Sequence, residues 1–178
     1  MLYWGWVASL FTGLSDLQNC SPSREETTMK YEHVLFVTDL NKDSQIVADK
    51  VNEVLSACDD AKLSVIHIIL DNIIAGGYEI MPLFNYADDK ENLQENAQAL
   101  KTFLKDTTLH ADITDVVPAL STAGGISDYA EEHDVDLIVI GLHRKTGLLN
   151  TLLGNTATSV LNSAKCDVLS VLIPESRN

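Results

Sequence analysis

Asp136-Leu137-Ile138-Val139-Ile140-Gly141 is a continuous apolar run that ends on a glycine. Such a run is typical of a strand that is buried on both faces of a parallel sheet. A glycine-containing loop with two adjacent cations comes after it, and an amphipathic helix and a second apolar strand, from Val168 to Ile173, come next. A strand, a glycine-rich loop and a helix N-terminus can hold a phosphate, because free N–H groups converge there and the helix dipole favours negative charge.

Apolar runs and helical segments alternate along the rest of the chain from Met29 onward. The helical segments carry apolar residues at steps of three and four. Residues 71–89 show no clear period and are predicted to form a long, partly helical connection. The predicted strands are residues 33–39, 63–69, 111–117, 136–140 and 168–173. This alternation predicts an α/β fold, an open doubly wound sheet of five parallel strands with helices on both faces.

The ends of two predicted strands mark the place where a ligand is expected. With the strand order 3-2-1-4-5, ligands bind beyond the carboxyl ends of the strands, where the order reverses. Strand one ends at Thr38 and Asp39, and strand four ends at Gly141. Pro118 is expected to stop strand three, and the last helix is expected to pack through its apolar positions Ala157, Val160, Leu161 and Ala164. The glycine loop and the reversal point therefore predict one and the same site.

Charge and cysteine content exclude several classes of partner. The 178 residues carry a net charge of −14, which argues against nucleic acid or an anionic membrane, since both would be repelled. The three cysteines are scattered, and no CxxC pair or histidine cluster accompanies them. Neither a disulfide framework nor a metal site is expected, and the cysteines are interpreted as small buried hydrophobes in a reducing cytosol.

The first 28 residues differ in composition from the remainder of the chain. They hold both tryptophans and carry no Lys or Arg before residue 24. The segment lacks the positive region of a secretory signal and is too short and interrupted to span a bilayer. Residues 1–28 are therefore predicted to be an extension that is disordered or stems from a misassigned start, and residues 29–178 to be the domain. A short amphipathic membrane or partner anchor is the alternative.

The usual catalytic patterns are missing from the sequence. It contains neither GxxxxGK[ST] nor GxGxxG, and no nucleophile and base stand in a recognisable arrangement. A response-regulator receiver would need an aspartate at the end of strand three, where Val116-Val117-Pro118-Ala119 stands instead. The chain is therefore predicted not to be an enzyme.

The same residues resemble the universal stress protein family, and more closely its bacterial universal stress protein A group. The likeness rests on the first strand with Thr38-Asp39, on Val65-Ile66-His67-Ile68, on the run before Gly141, and on the segment from Gly154 to Leu169. Nucleotide-binding members carry G-x2-G-x9-G-(S/T) after strand four. Gly141 and Gly154 match this spacing, whereas Arg144 replaces the second glycine and Asn155 the hydroxyl residue.

The resemblance implies an adenine nucleotide alpha hydrolase-like fold and a cytoplasmic, homodimeric stress-response protein. It implies ATP or AMP as ligand, with Mg²⁺ as a candidate companion ion, and dimerisation through the strand from Val168 to Ile173. No nucleic-acid or membrane partner is expected. A stress adaptor that binds no nucleotide, or a slow ATP-hydrolysing enzyme, is the alternative. The implied ligand-binding residues are Thr38, Asp39, Ile68, Gly141, Arg144, Gly154, Asn155 and Thr156.

Simpler roles are open for several of these side chains. Asp39 can be a turn or capping residue after strand one. Arg144 can be a solvated cation on an exposed loop, or it can bring positive charge to phosphates. His67 lies in mid-strand and is interpreted as a satisfied core histidine. His143 has no partner base or nucleophile nearby in the sequence and is given no catalytic role.

Overall fold

The computed structural model describes residues 31–70, 73–76, 79–82, 86–143 and 155–174. Within these residues the chain alternates between strands and helices, apart from one hairpin in the first half. The elements are β1 (His33–Val37), α1 (Ser44–Ser56), β2 (Lys62–Leu70), β3 (Ile73–Gly76), β4 (Glu79–Pro82), α2 (Tyr86–Asp106), β5 (Ile113–Ala119), α3 (Thr122–Glu132), β6 (Leu137–His143), α4 (Asn155–Ser163) and β7 (Asp167–Ile173).

Five of the strands form one parallel sheet in the order β5-β2-β1-β6-β7. Counted along the five long strands, this is the predicted order 3-2-1-4-5, and the prediction of an open doubly wound α/β sheet is confirmed. Val37, the last residue of β1, pairs with Ile66 on one side and Ile140 on the other. The order reverses beside β1, so the carboxyl ends of β1 and β6 lie next to each other.

Apolar layers cover both faces of the sheet. Alternate residues of a strand point to opposite faces, so Phe36 packs with the layer under α1 and α2, and Leu35 with the layer under α3 and α4. The central strands are fully buried at Leu35, Phe36, Val65, Ile138 and Val139. This double burial explains why the central strands are continuous apolar runs.

β1 ends at Val37 rather than at the predicted Asp39, and three further differences from the sequence-based predictions concern how the sheet is built. The predicted connection at residues 71–89 contains the antiparallel hairpin of β3 and β4, and α2 starts within it at Tyr86. Pro118 does not end the third strand but lies inside β5, where it pairs with Ile69. A proline is tolerated there because β5 is an edge strand and its missing N–H leaves no partner unsatisfied.

The third difference concerns the strand that decides the fold. β6 continues beyond Gly141 to His143, so the glycine lies inside the strand rather than at its end. In the next helix, Ala157 and Val160 are buried as predicted, but Leu161 is 45% exposed and does not belong to the inner face. Cys58 and Cys166 are free thiols that are only partly buried.

Candidate functional site

A cavity of about 480 Å³ lies at the carboxyl edge of the sheet, where the strand order reverses. Its volume is within the range of small-molecule sites. Six of the eight predicted site residues line it, namely Thr38, Asp39, Ile68, Gly141, Asn155 and Thr156. The other two, Arg144 and Gly154, lie outside the described residues.

The described residues that line this cavity carry apolar and polar side chains in equal number. Val37 and Val47 contribute from β1 and α1, and Ile126 from α3. The remaining apolar side chains among the described lining residues are those of Ile68, Ile140, Leu142, Ala157 and Ile173. A wall that combines apolar surface with polar groups suits a small organic ligand that has both kinds of surface.

The turn after β1 is held in a defined shape by its own side chains. The N–H of Thr38 donates to the carbonyl of Ile66 at 3.0 Å, and its Oγ1 accepts from the N–H of Leu40 at 3.0 Å. Leu40 has a φ of 60°, in the left-handed region that side chains other than glycine adopt only occasionally. The chain therefore turns sharply away from the sheet directly at the cavity.

Asp39 is fixed by neighbours of the same turn. Its Oδ1 accepts from the hydroxyl of Ser44 at 2.5 Å and from the N–H of Asn41 at 3.2 Å, and its Oδ2 accepts from the Asn41 amide at 2.8 Å. Partial burial by itself would raise the pKa of Asp39. The hydrogen bonds from Ser44 and Asn41 and the nearby His143 outweigh burial, so the pKa of this carboxyl is lowered and it stays ionised.

Two histidines join the site. His143, at the end of β6, places its Nε2 3.7 Å from Oδ2 of Asp39, and both side chains are about half exposed. His67, in β2, places its Nδ1 2.8 Å from the carbonyl oxygen of Thr38. His67 is thus satisfied, as predicted, but it is half-buried and lines the cavity rather than the core.

The backbone of Ile68 faces the gap that β1 leaves. β2 runs on to Leu70, but its pairing with β1 ends at Ile66. The N–H and C=O of one strand residue point to the same neighbouring strand, and those of alternate residues point the same way. Because the peptide groups of Ile66 face β1, those of Ile68 face the same side, beyond the last residue of β1.

Gly141 is closely packed by neighbouring side chains. A Cβ at this position would lie 2.8 Å from Cδ1 of Ile173 and 3.2 Å from Cγ2 of Val47. Because residue 141 has no side chain, Val47 of α1 and Ile173 of β7 pack closely against β6 at this position. Close packing by itself therefore favours a glycine at this position.

Three helices begin at the cavity. Ser44 opens α1, Thr122 opens α3, and Asn155 and Thr156 open α4, and all four residues line the cavity. Helix N-termini carry free N–H groups and the positive end of the helix dipole, so they favour an anionic ligand. Ser44 and Thr122 were not among the site residues predicted from the sequence. Each comes shortly after a predicted strand, and this position could have indicated that they lie at the carboxyl edge of the sheet.

Within the described residues, no group of three or more His, Cys, Asp or Glu side chains is placed to hold a metal ion. The same part of the chain contains no helix that is long and apolar enough to cross a membrane.

Comparisons with known proteins agree with the fold. A model of the universal stress protein family matches residues 30–171. Universal stress protein A homolog 1 of Coxiella burnetii is 32% identical over 151 residues, which cover 83% of this chain and 100% of that protein. Homolog 2 of the same bacterium is 32% identical over 145 residues, covering 80% and 94%.

A solved structure supports the fold. Universal stress protein UspA from Lactobacillus plantarum superimposes with a TM-score of 0.53 at 20% identity, covering 80% of this chain and 99% of that one. The predicted adenine nucleotide alpha hydrolase-like fold is confirmed by this likeness and by the strand order. The chain belongs to the universal stress protein family.

Proposed function

We propose that this protein is a homodimeric binding module of the stress response that takes an adenine nucleotide, ATP or AMP, into the cavity at the carboxyl edge. Membership of the universal stress protein family supports the stress-response role. The finer proposal, nucleotide binding, rests on the chemistry of the groups around the cavity.

The peptide group of Ile68 is the observation that carries the proposal. It presents one donor and one acceptor side by side beyond the end of β1. Adenine offers the complementary pair, an exocyclic amino donor and a ring-nitrogen acceptor, whereas guanine carries a carbonyl where adenine carries the amino group. The apolar side chains of Val37 and Ile126 supply flat surface for the ring.

The remaining polar groups suit a ribose and its phosphates. Ionised Asp39 can only accept hydrogen bonds, and ribose hydroxyls donate them. The N-terminus of α4, with Asn155 and Thr156, offers N–H groups to a phosphate. Arg144 and Gly154 complete the proposed set from the segment before α4.

Mg²⁺ fits the described residues only as a companion of the nucleotide. Asp39 is the one carboxylate among the described lining residues, and its oxygens already accept three hydrogen bonds. Mg²⁺ in nucleotide sites is held chiefly by phosphates and water, with one or two carboxylates. The chain would therefore contribute little beyond charge to such an ion.

A second copy of the chain is proposed to cover the edge of β7. This strand ends the sheet, and Leu172 on it is 47% exposed. An apolar edge strand with free backbone groups needs cover, because it otherwise pairs with other chains at random. Residues 29–178 are proposed to form the domain that dimerises, and a chain starting at Met29 is expected to retain both dimer and ligand.

Isothermal titration tests the proposed ligand. Purified protein is titrated with AMP, ATP, GMP and GTP, and heat of binding is expected with the adenine nucleotides alone. Asp39→Asn keeps the size of the side chain but removes its charge, so it is expected to weaken binding about tenfold, the cost of one charge-assisted hydrogen bond. If the wild type shows no heat of binding at millimolar AMP and ATP, the protein is a stress adaptor that binds no nucleotide.

The enzymatic alternative is tested on the same samples. If the protein is a slow ATP-hydrolysing enzyme, it releases phosphate from ATP, and this release is absent in Asp39→Ala. Bound ATP that remains intact over many hours is the outcome expected of a binding module.

A further inference from the structure

The hydrogen-bonded pairing of β1 with β2 ends one hydrogen bond earlier than the register of the two strands permits. The N–H of Thr38 donates to the carbonyl of Ile66 at 3.0 Å. In a parallel ladder with this register, the next bond would run from the N–H of Ile68 to the carbonyl of Thr38. That carbonyl accepts from a side chain instead, with Nδ1 of His67 at 2.8 Å.

The chemistry of this contact fixes the role of each atom. A carbonyl oxygen can only accept, so Nδ1 of His67 carries the hydrogen. Thr38 is 3% exposed, and a buried carbonyl without a hydrogen-bond partner destabilises the fold. The imidazole therefore supplies the hydrogen bond that the strand end gives up.

The contact is joined to the residues of the candidate site. Thr38 also accepts from Leu40 through its hydroxyl, and Leu40 has the left-handed φ that turns the chain away from the sheet. Asp39 lies between these two residues and lines the cavity. A shift of the Thr38 peptide would move the Asp39 carboxylate with it.

We propose that His67 is a positioning residue that ends the β1–β2 ladder at Ile66. By holding the Thr38 carbonyl, it leaves the peptide group of Ile68 facing the cavity and sets the direction of Asp39. Without this side chain, the Thr38 carbonyl turns to the N–H of Ile68 and the ladder lengthens by one bond. The part of this inference that concerns a ligand rests on the proposed function; the part that concerns the ladder does not.

Two amide variants of His67 show whether the position of the hydrogen-bond donor matters or only the presence of a polar side chain. Asn carries its amide nitrogen at the δ position, where Nδ1 of the imidazole stands, whereas Gln carries it one bond further out. His67→Asn is therefore expected to keep the bond to Thr38, and His67→Gln to lose it. His110→Ala, at an exposed position before β5, is the control for loss of a histidine.

Hydrogen exchange of the Ile68 amide, followed by NMR without ligand, is the first measurement. In the wild type, His110→Ala and His67→Asn, this amide is expected to exchange at least tenfold faster than that of Ile66, which lies inside the ladder. In His67→Gln and His67→Ala it is expected to slow at least tenfold relative to the wild type. Equal exchange in all five proteins would overturn the inference, whether or not any nucleotide binds.

Ligand affinity is the second measurement. If the wild type binds AMP, His67→Gln is expected to bind it at least tenfold more weakly and His67→Asn within about threefold, at a temperature where both are folded. Equal affinity of His67→Gln and the wild type would show that His67 does not set the site. A wild type that binds no nucleotide would refute the proposed function and leave the exchange result to decide on the ladder.

Discussion

Asp39 and His143 face each other across the carboxyl ends of the neighbouring strands β1 and β6, with Oδ2 and Nε2 3.7 Å apart. Both side chains are about half exposed, so water screens their attraction and the pair contributes little to stability. Its position is more informative than its strength. Because these two strands flank the reversal of the strand order, the pair stands at the mouth of the cavity.

Removal of the Ser44 hydroxyl should act on Asp39. Ser44 is buried and donates to Oδ1 of Asp39, and this bond helps to keep the pKa of the carboxyl low. In Ser44→Ala the pKa of Asp39 is expected to rise, and the free energy of unfolding at pH 7 to fall by about 1 kcal/mol. The pKa is measured by NMR titration of the Asp39 carboxyl carbon, and stability by urea denaturation.

The pH dependence results from the direction of that shift. A carboxyl whose pKa is lower in the folded chain stabilises the fold above its unfolded pKa, and this stabilisation is lost as pH falls through the folded pKa. The wild type should therefore lose more stability than Ser44→Ala between pH 5 and the acid limit of folding. Parallel stability curves for the two proteins would contradict the assigned role of the Ser44 bond.

Gly141→Ala should destabilise the protein by overpacking. The new methyl group would lie 2.8 Å from Cδ1 of Ile173 and 3.2 Å from Cγ2 of Val47. We expect a loss of about 1–3 kcal/mol in the free energy of unfolding. Ile173→Val removes the nearer atom, so the double variant should lose less than the sum of the two single losses, as measured by chemical denaturation. Strict additivity would show that the contact with Ile173 is not the cause.

Acidification should destabilise the fold through His33. This ring is buried, with Nδ1 donating to the carbonyl of His133 at 2.9 Å and Nε2 2.7 Å from the hydroxyl of Ser64. Burial lowers the pKa of His33. The hydrogen bond to the His133 carbonyl acts in the opposite direction, because it favours the protonated ring. The charges that face the ring are those of Lys62 and His133, which also lower its pKa, and that of Asp136, which raises it.

The sign of this effect is opposite to that of a paired histidine. Between the folded and the unfolded pKa, the unfolded chain binds more protons, so stability falls as pH drops below about 6.5 and levels off below the folded pKa. His33→Gln removes this titration and should flatten the stability curve between pH 7 and pH 5. His110→Ala, at an exposed position, should leave it unchanged. Equal slopes for His33→Gln and the wild type would exclude His33 as the source.

A charge on the open edge of β7 should separate the proposed dimer. Leu172 is 47% exposed on this strand, and Leu172→Lys places an ammonium group where a second copy would pack. Sedimentation is expected to show a monomer at concentrations where the wild type is a dimer. Leu70→Lys is the matched control, since Leu70 is 58% exposed at the end of β2, away from β7. Dissociation by both variants, or by neither, would place the interface elsewhere.

Local patterns were sufficient for the architecture. The apolar runs and the three- and four-residue steps depend on neighbours along the chain, and both are visible without a structure. They predict the α/β class and the parallel sheet, and with the strand order 3-2-1-4-5 they place Thr38 and Asp39 at the reversal. The likeness to the universal stress proteins added Ile68, Asn155 and Thr156, and all of these line the cavity.

Contacts between distant segments decided the rest. β6 runs on through Gly141 to His143 because it stays paired with β7 as far as Ile173, which lies far away in the sequence. Pro118 stays inside β5 because that strand is at the edge of the sheet, which only the strand order reveals. His67 meets the carbonyl of Thr38 across 29 residues. The sequence by itself predicted where a candidate ligand site lies, and the tertiary structure decided which groups meet there, because hydrogen bonds and close contacts depend on distances that the chain acquires only on folding.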